Sequence, residues 1–216
     1  MDTNTLLKQK LLSLLLLAGV FAFIYNPWTK FPYTFACITA MVLLFTWLQE
    51  KSLGGLNFKS LRLNDVAIIL GLFISIEAVA DFIVQPAANS FFNEPADYSA
   101  FRSIQGNAPK YFKYLLYMWI SAAVGEEVFF RAFAFLQLRK IVGNHFVLTV
   151  LLSAVLFALP HLYQGAAGLV VTFFFGLVFG AIYLKFKNIW INIIVHGLID
   201  TFFITMAYYG ELDYFG

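Results

Sequence analysis

The sequence has few charged residues and almost no cysteine. Only 12% of its 216 residues are Asp, Glu, Lys or Arg, about half the share that a soluble domain usually carries. So little charge leaves too little polar surface to cover a water-soluble globule. The single cysteine excludes an intramolecular disulfide framework and a zinc site built on several cysteines. A net charge of only +2 provides no basic surface, so we expect no nucleic-acid partner.

Hydrophobic residues take the place of the missing charge. They make up 61% of the chain, and aromatic residues alone make up 19%. A membrane-spanning helix needs about 20 mostly apolar residues, and about seven such stretches follow one another along the chain. They cover residues 11–25, 31–48, 66–84, 111–138, 146–163, 166–186 and 189–209. We therefore predict an all-α, polytopic transmembrane helix bundle in the lipid bilayer, with no cleaved signal peptide.

The distribution of Lys and Arg predicts how these spans are oriented. Most basic residues outside the spans fall on one side of the membrane if the spans alternate in direction, among them Lys8, Lys51 and Arg139. Cytoplasmic loops are enriched in Lys and Arg. We therefore expect the N-terminus in the cytoplasm, the C-terminus outside, and the longest loop, 85–110, as an extracytoplasmic lid or linker.

Two acids and an arginine lie inside the fourth apolar stretch. A charge at the centre of a bilayer costs at least ~2.5–3.5 kcal/mol, so it usually faces a partner or a cavity. Glu127 and Arg131 are four residues apart and share a helix face. Glu126 lies about 100° around the helix from Glu127 and reaches Arg131 less easily. We predict one paired carboxylate and one available carboxylate; the alternative is a buried salt bridge without chemistry.

The fifth and seventh stretches each contain one histidine. His161 follows Pro160, which loosens a helix because it has no N–H group. His196 and Asp200 are four residues apart, so the carboxylate can orient the imidazole, or both can face one ligand. The alternatives are a packed, hydrogen-bonded histidine and a structural His–Asp pair. His145 lies at the end of a loop, and we place it at the surface.

Two further pairs lie at helical spacing in the apolar stretches. Glu77 and Asp81 are four residues apart in the third stretch. No catalytic role suggests itself for them, and we expect them to line a wet cavity or to pair with Arg131 or the cations of the loop. Gly176 and Gly180 form a G-x-x-x-G pattern, which is typical of close helix packing in membranes.

Three short strings follow one another on three of the apolar stretches: EEVFFR at 126–131, FALPH at 157–161 and HGLID at 196–200. Together they resemble the EExxxR, FxxxH and HxxxN/D motifs of the CPBP family. This family comprises the CAAX prenyl-protein endopeptidases and the bacteriocin-processing or immunity proteins, also called Abi proteins. The resemblance implies a four-helix catalytic core of the CAAX-protease type.

The resemblance also implies an organisation and a location. The catalytic core would cover residues 111–209, and the N-terminal spans with the long loop would cover residues 1–110. The compact chain and its short loops resemble the prokaryotic members, which implies a multi-pass protein of a prokaryotic cell membrane. The implied substrate is a peptide or protein, either membrane-associated or prenylated.

An intramembrane peptidase site is the activity that the resemblance implies. Its six residues are Glu126, Glu127, Arg131, His161, His196 and Asp200. Glu126 would be the general base that activates water, and His161 would position that water. His196 and the residue at position 200 would stabilise the oxyanion, and the second glutamate and the arginine would hold the site together.

Position 200 departs from the commonest motif, because many members have Asn where this chain has Asp200. An ionised Asp only accepts hydrogen bonds, so it would have to be protonated or to orient a donating His196. An aspartate at this position could also bind a metal. The ligands of a zinc ion would then be Glu126, His161, His196 and Asp200. Because the chain has no H-E-x-x-H helix and no Cys ligand, we favour a glutamate mechanism without a cofactor, with a zinc metallopeptidase as the alternative.

Two other classes of function use the same residue types. A proton-coupled transporter or channel also needs buried acids and histidines, although transporters often show internal repeats and broken helices that this sequence lacks. A non-catalytic immunity or scaffold protein could have the same fold, because a fold alone does not determine function.

Overall fold

Residues 3–215 are described by a computed structural model, and all regular secondary structure within them is helical. The predicted all-α class is therefore confirmed. The helices are α1 Thr3–Ala22, α2 Tyr33–Glu50, α3 Leu63–Val79, α4 Gln85–Phe92, α5 Ala108–Tyr117, α6 Ala134–Val142, α7 Phe146–Ala158, α8 Gly165–Phe186 and α9 Ile189–Tyr209.

Three of the connections between these helices are helical along their whole length but wound differently. A π-helical turn, Ala80–Val84, joins α3 to α4, and a longer π-helical segment, Met118–Phe133, joins α5 to α6. A 3-10 segment, Leu159–Gln164, joins α7 to α8. In a π-helix each backbone carbonyl accepts from the N–H group five residues later in the chain, instead of four as in an α-helix. The chain from 108 to 142 is therefore one continuous helical rod with a wider centre.

Within residues 3–215, five helical stretches are long and apolar enough to cross a membrane, so the chain is an integral membrane protein. They are Thr3–Tyr25, Tyr33–Glu50, Leu63–Phe92, Phe146–Phe186 and Ile189–Tyr209. The fourth of these contains two of the predicted spans, one on each side of the 3-10 segment. The rod 108–142 is not among the five, and it is the one that carries the two central glutamates and the arginine. The number of spans, about seven, stays a prediction.

The loop predicted at 85–110 is shorter in the structure. Helix α3 continues through the π-helical turn into α4, which ends only at Phe92. Pro86 lies in the first turn of α4, directly after the π-helical turn. The remaining connection, 93–107, lies against the end of α9, where the Gly106 N–H donates to the carbonyl of Tyr208 at 3.0 Å. The polar residues and the proline of 85–92 predicted a loop, but they form the short helix α4.

The π-helical segment Met118–Phe133 lies at the centre of the bundle, in contact with α2, α7 and α9. Helices α7 and α8 form the closest pair. A Cβ atom on Gly176 of α8 would lie 2.9 Å from the Cα atom of Ala154, and one on Gly180 would lie 3.1 Å from Val150. The close helix packing predicted from these two glycines is confirmed.

Candidate active site

The paired charges of the π-helical segment are fully buried. Arg131 Nη1 lies 3.3 Å from Glu127 Oε1, and neither side chain is exposed to solvent. The predicted Glu127–Arg131 pair is therefore present. The guanidinium carbon of Arg131 lies 4.0 Å from the ring centre of Phe157 and 5.1 Å from that of Phe179. The negative faces of aromatic rings attract a cation, so these rings compensate part of the charge that water would otherwise solvate.

Glu127 also holds His196, which comes from the neighbouring helix α9. His196 Nδ1 lies 2.9 Å from Glu127 Oε1, and Asn192 Nδ2 donates to Glu127 Oε2 at 3.1 Å. A carboxylate paired with arginine only accepts hydrogen bonds, so His196 Nδ1 must be the donor. The other ring nitrogen, Nε2, is then available for chemistry.

Asp200 does not orient His196 as one interpretation of the sequence expected. The distance between His196 Nε2 and Asp200 Oδ2 is 3.7 Å, which is too long for a hydrogen bond. The spacing of four residues does bring the two side chains to one face of α9. Glu127 lies closer to the imidazole than Asp200 does and takes the orienting role. Asp200 is left as an acidic group close to Nε2.

One cavity of about 480 Å³ brings together residues from three of the predicted spans. Glu126, His161, His196 and Asp200 all line it. The cost of unpaired charge in lipid predicts that Glu127 would line the same polar cavity as these four residues. It does not, because it is turned into the protein, where it contacts Arg131, His196 and Asn192. The two adjacent glutamates therefore have different environments, one facing the cavity and one fully enclosed.

His161 lies just beyond the point where α7 loses its regular winding. Helix α7 ends at Ala158, and Pro160 lies in the 3-10 segment that follows, as the loosening effect of proline predicts. His161 Nδ1 lies 3.0 Å from the carbonyl oxygen of Phe157. A carbonyl only accepts, so Nδ1 is the donor and Nε2 of the neutral ring keeps a lone pair. His145, by contrast, is exposed, as predicted.

A comparison with known protein families agrees with this geometry. Residues 108–202 match the family described as type II CAAX prenyl endopeptidase Rce1-like. This segment, which contains Glu126, His161 and Asp200, is therefore similar to CAAX proteases. The resemblance inferred from the three sequence motifs is thereby confirmed, and it indicates peptidase activity. Neither a search of curated proteins nor a search of solved structures found a match to the chain.

The matched segment, residues 108–202, contains further site residues that were not predicted from the sequence. Asn192, which donates to Glu127, precedes His196 by four residues, as His196 precedes Asp200. This polar row along an otherwise apolar helix was a signal that could have identified it. Phe179 stacks on the imidazole of His196 with ring centres 4.9 Å apart. No sequence signal distinguishes it from the other phenylalanines among the 26 in the chain.

Glu77 and Asp81, which precede the matched segment in the sequence, also line this cavity. Among residues 3–215, neither forms an ion pair with Arg131 or with a loop cation. Of the two roles considered for them, the structure therefore supports the lining of a cavity.

A zinc ion finds no ready site in this arrangement. Within the described part of the chain, no three His, Cys, Asp or Glu side chains are grouped so that they could hold a metal ion. The candidate ligands Glu126, His161, His196 and Asp200 share a cavity but do not converge on one point. The described residues therefore form no ready-made metal site, and the choice between a glutamate and a zinc mechanism stays a prediction.

Proposed function

We propose that the protein is an intramembrane endopeptidase that hydrolyses a peptide bond with a water molecule activated by Glu126. The observation that carries the proposal is the contrast between two adjacent glutamates. Glu127 is enclosed and held by Arg131, whereas Glu126 faces the cavity and makes no hydrogen bond to any residue in 3–215. A carboxylate without a partner in a cavity is free to accept a proton, which is what a general base requires.

The other cavity residues have complementary roles in this reaction. The lone pair on His161 Nε2 accepts a hydrogen bond from the attacking water and orients it. Glu126 takes a proton from that water, and the resulting hydroxide attacks the carbonyl carbon of the substrate. Glu126 then gives the proton to the leaving amine, so the peptide bond breaks without net consumption of acid or base. No step passes through a metal.

His196 stabilises the negative charge that develops on the substrate oxygen. With Nδ1 donating to Glu127, a protonated ring presents the Nε2–H group to the oxyanion. Arg131 and His196 then carry two positive charges, which offset much of the negative charge on Glu126, Glu127 and Asp200. Glu127 and Arg131 act as positioning residues, because they fix the imidazole and do not touch the substrate.

The orientation in the membrane and the lining of the cavity bear on where the substrate comes from. We propose that the N-terminus is cytoplasmic, as the distribution of Lys and Arg predicts, and that the protein resides in a prokaryotic cell membrane. The substrate is a peptide or protein segment that enters the cavity from the membrane or its surface, with or without a prenyl group. Most residues lining the cavity are apolar, so an extended apolar segment can bind there.

A cleavage assay with the full chain in lipid nanodiscs tests the proposal. Internally quenched peptides from a random library are incubated with the protein, and fluorescence reports hydrolysis. The Glu126→Gln variant keeps the shape of the side chain but removes the base, so the rate should fall by about 10²–10⁴-fold. Glu211→Gln, at an exposed glutamate outside the cavity, is the matched control and should cleave normally. Cleavage by Glu126→Gln at the wild-type rate would refute the proposed mechanism, and a protein that moves protons across the bilayer but cleaves nothing would favour a transporter.

A further inference from the structure

The cavity wall is acidic beyond what the proposed hydrolysis uses. Glu77 on α3 and Asp81 on the π-helical turn line the same cavity as Glu126 and Asp200. No lysine or arginine is among the residues of 3–215 that line it. Arg131, the nearest buried cation described above, lies behind the wall and is paired with Glu127. A group that enters the cavity therefore meets several carboxylates, and the positive charge proposed for His196 already faces Glu127 and Asp200.

Two carboxylate oxygens in this wall accept no hydrogen bond. Glu77 Oε1 and Asp200 Oδ2 are both buried, and neither has a hydrogen-bond partner among the described residues. A buried acceptor without a donor has lost its hydrogen bonds to water and destabilises the fold. The protein retains this cost at two places in one cavity, which is the pattern expected where a ligand supplies the missing donors.

The acidic groups are also close enough to affect one another. Helix α3 packs against α9, and Glu77 interacts electrostatically with both Asp81 and Asp200. Like charges at such range repel, and in the protein interior this repulsion is stronger than in water. A positive charge placed among them would remove the repulsion and satisfy the unpaired oxygens at once.

We propose that Glu77 and Asp81 bind a positively charged side chain, lysine or arginine, of the substrate segment that occupies the cavity. This inference rests on the proposed peptidase function and specifies its substrate class. Lysine and arginine supply several N–H donors on a long apolar stem, which suits a cavity with apolar walls and an acidic patch.

A binding experiment tests this without hydrolysis. The Glu126→Gln protein in nanodiscs is titrated with fluorescent leucine–alanine peptides that carry a single central lysine or, in the matched peptide, norleucine. Fluorescence anisotropy gives both dissociation constants. A charge-assisted hydrogen bond contributes about 1.5–3 kcal/mol, so the lysine peptide should bind at least about tenfold more tightly. Adding Glu77→Gln and Asp81→Asn should abolish the difference, either substitution alone should reduce it, and Glu211→Gln should leave it unchanged.

Three results would overturn the inference. They are equal binding of the two peptides, a lysine preference that survives the double substitution in folded protein, and tighter binding of a norleucine peptide with a free C-terminal carboxylate than of its amide. Thermal melting of each variant verifies folding, and the single variants replace the double variant if it fails to fold. Because binding is measured without cleavage, a lysine preference in a wild-type protein that cleaves no peptide would refute the proposed reaction and support this cation site.

Discussion

Replacing Arg131 with methionine should strongly destabilise the folded protein. The arginine is fully buried, and its Nη1 lies 3.3 Å from Glu127 Oε1. Methionine can occupy much of the same space between the rings of Phe157 and Phe179, but it cannot neutralise the glutamate. Removing one partner of a buried ion pair costs about 3–5 kcal/mol, because the other charge stays buried without compensation.

The remaining contacts of Glu127 place the expected loss at the lower end of this range. His196 still lies 2.9 Å from Oε1, and Asn192 still donates to Oε2 at 3.1 Å. These donors continue to stabilise the carboxylate, so we expect a loss of about 3 kcal/mol in the free energy of unfolding.

The free energy of unfolding of the full chain can be measured in mixed micelles by titration with a denaturing detergent, with tryptophan fluorescence as the readout. Arg139→Met is the matched control. Arg139 is exposed, so its replacement leaves no buried charge without a partner. A surface substitution of this kind should change stability by no more than about 0.5 kcal/mol.

A double variant, Arg131→Met with Glu127→Gln, separates charge from packing. It leaves no uncompensated glutamate, so it should recover most of the lost stability, since a buried ion pair can often be replaced by neutral groups at little cost. Its hydrolysis should still be impaired, because the carboxylate that stabilises a protonated His196 is gone. If the double variant is as unstable as Arg131→Met alone, the charge of Glu127 is not the cause and the explanation is refuted.

Two further predictions concern α9. A Cβ atom on Gly197 would lie 2.6 Å from the ring of Trp119, so Gly197→Ala should lower the free energy of unfolding by about 1–3 kcal/mol. Gly71→Ala is the control, because a Cβ atom there would meet nothing within 4 Å. Equal melting temperatures of the two variants would contradict this prediction. Asp200→Asn supplies an amide donor near the oxyanion, so hydrolysis should persist or rise. Chelator-sensitive activity that zinc restores, together with an inactive Asp200→Asn protein, would instead establish a metallopeptidase.

The parts of the site that were predictable from the sequence are those that follow from charge in an apolar surrounding. Glu127 and Arg131 lie four residues apart in a span, and the cost of burying either alone required the pairing that the structure has. The same cost predicted that Glu126, His161 and His196 would face a shared cavity, and they do. Helical spacing also predicted the glycine contacts between α7 and α8, because those depend on one helix face alone.

The parts that were not predictable depend on contacts between helices and on backbone winding. Sequence spacing paired His196 with Asp200 on its own helix, whereas the closer acceptor, Glu127, lies far away in the chain. The angle of about 100° between adjacent residues holds for an α-helix, but Glu126 and Glu127 lie in a π-helical segment. Such segments are rare overall but occur frequently at functional sites.

The position of Arg131 on the same rod as Glu127 has a consequence for the biogenesis of the protein. Helix α9, which provides the histidine and asparagine partners of Glu127, is synthesised after the rod that carries the glutamate. At the centre of a bilayer an uncompensated charge costs at least ~2.5–3.5 kcal/mol. Because the arginine is only four residues away, the glutamate has a counter-ion as soon as its own helix forms. The rod can therefore enter the membrane before its later partners exist, and α9 completes the site when it arrives.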